Sequence, residues 1–357
     1  MIKQYSACII GTGRIGFTLG FDKKREQPAS HTMALLNNSN VRIIAGCDKD
    51  QKLLDQWKSF VDKHPSQFTF DKSKKVQVFN SAVELFKNCF PDIVVISVNE
   101  DSHLETALLA ISKKPRLIIL EKPVALNSLE GKKILSQSKK YGVPILVNHE
   151  RRFSKDYKIA RDYINQIGDI QKINANLFSG MRLYDPKKES NGGYSLLHDG
   201  THLVDIVLYF LESLGETKLT NPIVTGLVKD KKEKNVVRGI TVNYSTKAVS
   251  DIAITMSGRS RFFGFEVEIL GTEGRIKIGN GYADFFKREE SKLYTGFFSL
   301  TKDKSVKVPK KTGYFSEMVK NAVDFLDGKC ELKSTLETGL NALKVLEDIK
   351  LQLNKKI

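Results

Sequence analysis

The sequence predicts an α/β domain with a doubly wound parallel sheet, followed by an α+β domain with a large, mostly antiparallel open sheet. Three observations carry this expectation. Apolar runs alternate with helical patterns over the first 150 residues. After Arg151-Arg152-Phe153 the rhythm changes to successive strands with period-two alternation and no helices between them. A glycine turn, Gly11-Thr12-Gly13-Arg14-Ile15-Gly16, follows the first apolar run. At 357 residues the chain exceeds one ordinary domain. We divide it into residues 1–123 and 124–357, with the last helices free to pack back on the first domain.

In the first domain, apolar runs at Tyr5–Ile10, Val41–Cys47, 75–79, 92–98 and 116–120 read as buried strands, and a sixth at 144–147 follows them. Helical patterns fall at Gln51–Lys63, 81–88, 102–113 and Ser128–Tyr141, with Asn80, Asp101 and Asn127 as expected N-caps. Strands buried on both faces and joined by helices imply a parallel sheet with right-handed crossovers. Further on, a helix at 155–166 leads to a strand at 170–178 and a long helix at 196–211. Strands are then expected at 223–228, 236–244, 250–256, 265–270 and 274–278, with Gly271-Thr272-Glu273-Gly274 as a hairpin turn. Helices at 314–327 and 336–354 close the chain.

Hydrophobic residues make up 41% and aromatics 9%, enough for real cores. Lysine and arginine number 57 against 41 acids, a net charge of +16. The lysines are dispersed and alternate with acids, as in Asp22-Lys23-Lys24-Arg25-Glu26, so no nucleic-acid partner is expected. An anionic substrate is compatible with the charge. Cys8, Cys47, Cys89 and Cys330 have no CxxC spacing. The glycine turn begins too early to leave room for a signal peptide, and no apolar run can span a bilayer. A cytoplasmic protein without a membrane partner is expected.

In the glycine turn, Gly11 permits the tight bend, Gly13 lets backbone approach a pyrophosphate, and Gly16 lets helix pack on strand. The turn is expected to open a helix whose N-terminus receives the phosphates, with Thr12, Arg14 and Ile15 as further cofactor contacts. Asp48 ends the second strand, where a carboxylate accepts hydrogen bonds from a ribose and repels a 2′-phosphate; this favours NAD over NADP. Lys49 beside it offsets that repulsion in part. The step from Gly16 to Asp48 exceeds the usual 20 or so residues, and 21–30 reads as an inserted charged loop. Ser97, Asn99 and His103 follow the fourth strand and border the expected nicotinamide side. His103 reads equally as a packing residue. Lys122 ends the fifth strand, where an ammonium can donate to a substrate hydroxyl and stabilise developing oxygen charge. Glu121 can hold it in position, and Pro123 admits a cis bond.

A second cluster runs from Gly192 through His198, Asp199, Gly200 and His202 to Asp205. In one continuous helix, His198 and His202 share a face and Asp205 can orient His202. Either histidine can take a proton from an alcohol, and Gly200 leaves space for a ligand. The spacing also suits a metal pair, but no third ligand is evident and no metal is expected.

Together these residues resemble the glucose–fructose oxidoreductase / inositol dehydrogenase (Gfo/Idh/MocA) family, with its NAD(P)-binding Rossmann domain. The likeness runs through GTGRIG at 11–16, CDKD at 47–50, EKP at 121–123, Arg152-Phe153, GGYSLLHDGTHLVD at 192–205 and EILGTEGRIKI at 268–278. It implies a nicotinamide-dependent dehydrogenase acting on a sugar, polyol or nucleotide sugar, with Lys122 and His202 as the family's catalytic lysine and histidine. Arg152 is a weaker candidate for a substrate hydroxyl or anionic group. The family often carries an aspartate four residues before this histidine. Here that position is His198, with Asp199 beside it, so the companion of His202 is open between the two. The resemblance also implies a homodimer or homotetramer. Two alternatives stand beside the dehydrogenase: a redox-neutral, NAD-dependent glycoside-cleaving enzyme, and a non-catalytic NAD- or sugar-sensing protein.

Overall fold

The computed structural model describes residues 4–64 and 75–357, and the chain forms two compact units. The first comprises residues 1–154 and 311–340, the second 155–310 and 341–357. The division differs from the expected boundary at 123. The strand at 145–147 belongs to the first sheet, so the first unit runs on to Ser154.

The first unit contains β1 (Tyr5–Ile10), α1 (His31–Leu36), β2 (Val41–Cys47), α2 (Gln51–Lys63), β3 (Gln77–Phe79), α3 (Ala82–Asn88), β4 (Ile93–Ile96), α4 (His103–Ser112), β5 (Leu117–Leu120), α5 (Ser128–Tyr141) and β6 (Ile145–Val147). All six strands are parallel, in the order β3-β2-β1-β4-β5-β6. The order reverses between β1 and β4, the place where a ligand binds beyond the carboxyl ends of such a sheet. β4 and β5 are buried throughout, which explains their uninterrupted Ile/Val/Leu runs. Trp57 of α2 is fully buried against β2, and a Cβ at Gly46 would meet its ring at 2.3 Å.

The glycine turn departs from expectation in an instructive way. It does not open a continuous helix. Phe17 N–H donates to Gly13 O at 2.9 Å and Leu19 N–H to Arg14 O at 2.8 Å, closing one helical turn before a 3-10 segment at Thr18–Phe21. The helix resumes at α1, where His31 N–H donates to Ile15 O (3.1 Å) and Thr32 N–H to Gly16 O (3.0 Å). His31 thus stands where residue 19 would stand in an unbroken helix, with residues 19–30 looped out. Setting those twelve aside reduces the 32-residue step from Gly16 to Asp48 to 20, the usual value of about 20. The Thr32 hydroxyl reinforces the splice by donating to Gly16 O, and it accepts from Trp57 Nε1.

Asn127 caps α5 as expected, accepting from Glu130 N–H. The other two expected caps move. Ser81 rather than Asn80 caps α3, and Asp101 lies in a 3-10 turn (Glu100–Ser102) that precedes α4. α9 (Tyr314–Leu326) also belongs to the first unit, where Phe315, Met318 and Val319 join its core.

The second unit contains α6 (Lys155–Tyr163), β7 (Ile170–Phe178), α7 (Ser195–His198), α8 (Gly200–Glu212), β8 (Ile223–Lys229), β9 (Val237–Tyr244), β10 (Asp251–Ser257), β11 (Gly264–Gly271), β12 (Gly274–Gly279), β13 (Tyr282–Glu290) and β14 (Phe298–Lys302). α10 (Leu336–Asn354) begins in the first unit and ends in the second. The eight strands run β14-β13-β12-β11-β7-β10-β9-β8, antiparallel except between β7 and β10. One residue in two along β7, β10 and β11 is buried; Ile173, Ile254 and Val267 face the core with α8 packed on β7. β13 and β14 lack sequence-level strand signals because they form an exposed edge hairpin rich in charge.

Candidate active site

The site is built first from the loops at the carboxyl ends of β1, β2, β4, β5 and β6. Gly11 has φ +97, and a Cβ there would lie 2.5 Å from Ser97 O. A Cβ at Gly16 would lie 2.0 Å from Gly11 O, so the two glycines are closed against protein. Gly13 differs: no protein atom lies within 4 Å of its Cβ position. Two glycines packed shut and one facing open space fit a turn that admits a pyrophosphate. Ser97 Oγ, buried, donates to Gly11 O at 2.7 Å and so braces the turn.

Asp48 reaches back to the same turn. Its Oδ2 accepts from Thr12 N–H at 2.6 Å and from Thr12 Oγ1 at 3.1 Å, and its Oδ1 accepts from Asp50 N–H. The carboxylate therefore fixes the glycine turn while keeping acceptor capacity for a ribose. Thr12 is buried, Asp48 is partly exposed, and Arg14, Lys49 and Asn99 are exposed.

Past β5, Glu121 is buried and its Oε1 accepts two hydrogen bonds, from His31 Nε2 at 2.7 Å and Asn148 Nδ2 at 2.6 Å. Burial alone would raise its pKa, but His31, Asn148 and the Lys122 ammonium outweigh burial and hold the carboxyl below the usual range. Glu121 thus supports the loop from within. Lys122 follows it, partly exposed, with a cis peptide to Pro123. His103 is 1% exposed, and its nitrogens face Pro123 O (2.7 Å) and Val98 O (3.1 Å). Both nitrogens facing backbone carbonyls favour the packing reading, in which His103 braces the ends of β4 and β5. Arg152 is 1% exposed.

Sequence reasoning missed His31, Asn148 and His149. The last two follow β6 at the same carboxyl edge that drew attention to Lys122, so the signal was present. His149 is buried, and burial together with the charges of Arg152 and Lys122 pushes its pKa well below the ordinary histidine value. His31 carried no comparable signal, because the looped-out segment separates it from the glycine turn.

In the second unit the helical run divides at Asp199, with α7 ending at His198 and α8 beginning at Gly200. His198 and His202 therefore lie in two successive helices separated by Asp199, whose backbone stays in the right-handed helical region. His198 is exposed, Asp199 and His202 are partly exposed, and Asp205 is buried. Gly200 does not leave room for a ligand. A Cβ there would meet Met256 Sδ at 3.0 Å, so the glycine allows close packing of helix on sheet. Among the described residues no group of three or more His, Cys, Asp or Glu side chains could hold a metal.

Residues 6–149 match the model of the Gfo/Idh/MocA oxidoreductase family's NAD-binding Rossmann fold, and residues 161–356 match its C-terminal alpha/beta domain. The chain belongs to the Gfo/Idh/MocA oxidoreductase family. Among its relatives, glucose-6-phosphate 3-dehydrogenase of Bacillus subtilis is 24% identical over 273 residues, 72% of this chain and 73% of that enzyme. Trans-1,2-dihydrobenzene-1,2-diol dehydrogenase of Xenopus laevis is 24% identical over 208 residues, 57% of this chain and 60% of that enzyme. The 1,5-anhydro-D-fructose reductase of Ensifer adhaerens is 24% identical over 55% of this chain and 59% of its own length. The chain thus spans about three fifths of the Xenopus and Ensifer enzymes.

Solved structures share the fold. The WlbA dehydrogenase of Bordetella pertussis, in complex with NADH and UDP-GlcNAcA, superposes with TM-score 0.74 at 14% identity, covering 99% of this chain and 97% of that one. A putative NADPH-dependent oxidoreductase of Desulfitobacterium hafniense gives 0.79 at 14% identity over the same shares. No helix among the described residues is long and apolar enough to cross a membrane.

Proposed function

We propose that this Gfo/Idh/MocA protein transfers hydride between NAD and a secondary alcohol of a sugar, polyol or nucleotide sugar. The observation that carries the reading is Lys122, a partly exposed cation past β5, next in the chain to the buried carboxylate of Glu121 and two strands from the glycine turn of β1. Two strand spacings amount to about 10 Å, within the reach of a dinucleotide laid across this edge. The nicotinamide accepts or returns the hydride when bound. Lys122 donates to the substrate oxygen and stabilises the negative charge that develops there. Gly13 and the turn around it receive the pyrophosphate, and Asp48 accepts from the adenosine ribose and selects NAD over NADP. In the second unit, His202 is assigned to proton transfer. An anionic sugar derivative suits the net charge of +16 and the glucose 6-phosphate and UDP-GlcNAcA named for two relatives. Assembly of the chain into a homo-oligomer is part of the same reading, tested by light scattering.

A screen of sugar phosphates, polyols and nucleotide sugars with NAD, read at the NADH absorbance band, tests the assignment. Turnover with at least one is expected. Ligand binding without nicotinamide reduction across the whole screen contradicts it.

A further inference from the structure

His31 has no part in the reaction described so far, yet its placement is unusually well specified. The ring is 0% exposed and lies edge-on to Phe315 at 5.2 Å, a setting in which a phenylalanine would pack as well. What the imidazole adds is one hydrogen bond, from Nε2 to Glu121 Oε1, ninety residues away. Nδ1 is buried and has no hydrogen-bond partner, and neither has Asn148 Oδ1 on the other donor to the same oxygen. Buried polar atoms left unmatched cost free energy. Here two side chains leave such atoms in order to place two donors on one carboxylate oxygen.

The chain is arranged to deliver this contact. Because residues 19–30 are looped out, His31 takes the place of residue 19 on the glycine-turn helix, and Ser30 accepts from Met33 N–H as its cap. Glu26 ties the loop down by accepting from Thr312 N–H, Thr312 Oγ1 and Gly313 N–H at the start of α9, the helix that carries Phe315.

We propose that His31 is a positioning residue for hydride transfer: it fixes Glu121, and Glu121 fixes the backbone that presents Lys122. This rests on the catalytic assignment of Lys122 above. Since a carboxylate only accepts, Nε2 carries the proton. The charged and titratable groups acting on Glu121 are His31 from α1 and its neighbour Lys122; Glu121 in turn acts on His103 of α4 and His149 after β6.

The test is steady-state kinetics of His31→Phe and His31→Gln from about pH 4 to pH 9, with the substrate that the screen identifies. For His31→Phe, kcat is expected to fall roughly ten- to hundredfold, with KM and NADH affinity within twofold, since small misplacements of catalytic groups cost about this much. Losing one donor to Glu121 moves the acid limb of kcat to higher pH, and His31→Gln, which keeps an N–H donor, recovers most of the rate. A merely structural residue would lower stability without moving that limb. Should His31→Phe fail to fold, Asn148→Ala removes the other donor and is read in the same way. An unchanged kcat and acid limb, with Lys122→Ala inactive, overturns the role of His31 and leaves the proposed function standing. Full activity in Lys122→Ala, or no turnover by the wild type, overturns both.

Discussion

The backbone N–H of Thr12 donates to Asp48 Oδ2 at 2.6 Å, so the end of β2 and the turn after β1 are one unit. Asp48 then has two tasks, holding the turn and accepting from a ribose. Asp48→Ser is expected to weaken NADH binding roughly tenfold and to shift the NAD-to-NADP affinity ratio toward NADP by at least about tenfold. Fluorescence titration with both nucleotides measures this. An unchanged ratio would show that Asp48 serves the turn alone.

The glycines separate fold from binding. Gly16→Ala places a methyl 2.0 Å from Gly11 O and is expected to yield little folded protein. Gly13→Ala meets no protein atom within 4 Å, so melting should change by no more than a few degrees while NADH affinity drops at least about tenfold. Calorimetry and nucleotide titration on the same samples decide it; normal binding by Gly13→Ala would place the pyrophosphate elsewhere.

Glu26 satisfies backbone donors at the head of α9. Its replacement by Ala should cost about 1–2 kcal/mol, as for loss of an N-cap. Proteolytic cleavage within residues 19–30 should also become faster. Cleavage at the wild-type rate would mean that the loop is held by other contacts.

Acid sensitivity follows from His149 and Glu121. Both have folded pKa values below their ordinary ones, so the unfolded chain binds protons more readily and stability is lost as the pH falls. The contribution of His149 is complete above 6.5 and declines below it; that of Glu121 declines only below 4.5. Each group adds a limiting slope of about 1.4 kcal/mol per pH unit. His149→Gln should flatten the urea midpoint between pH 6.5 and 5, where His103, shifted the same way, leaves a residual slope. Parallel curves for variant and wild type would contradict the burial argument.

The sequence made the strand–helix alternation, the sheet edge and Lys122 legible because burial writes itself into residue type: β4 and β5 had to be apolar on both faces. Where burial relaxes, legibility failed. β13 and β14 are exposed and charged, and the division of the helix at Asp199 depends on backbone geometry that composition does not encode. His31 was hidden by a different cause, since a looped-out segment breaks the link between sequence spacing and spatial neighbourhood. The long step from Gly16 to Asp48 was noticed, but only the hydrogen bonds of His31 and Thr32 to Ile15 and Gly16 show where the extra residues go.

The most direct measurement is a rapid-mixing comparison of wild type and Lys122→Ala at saturating NAD and substrate, with NADH dissociation constants determined alongside. NADH binding is expected within about threefold of wild type, with a hydride-transfer rate lower by roughly a hundredfold or more. Equal transfer rates in the two proteins would remove Lys122 from the chemistry.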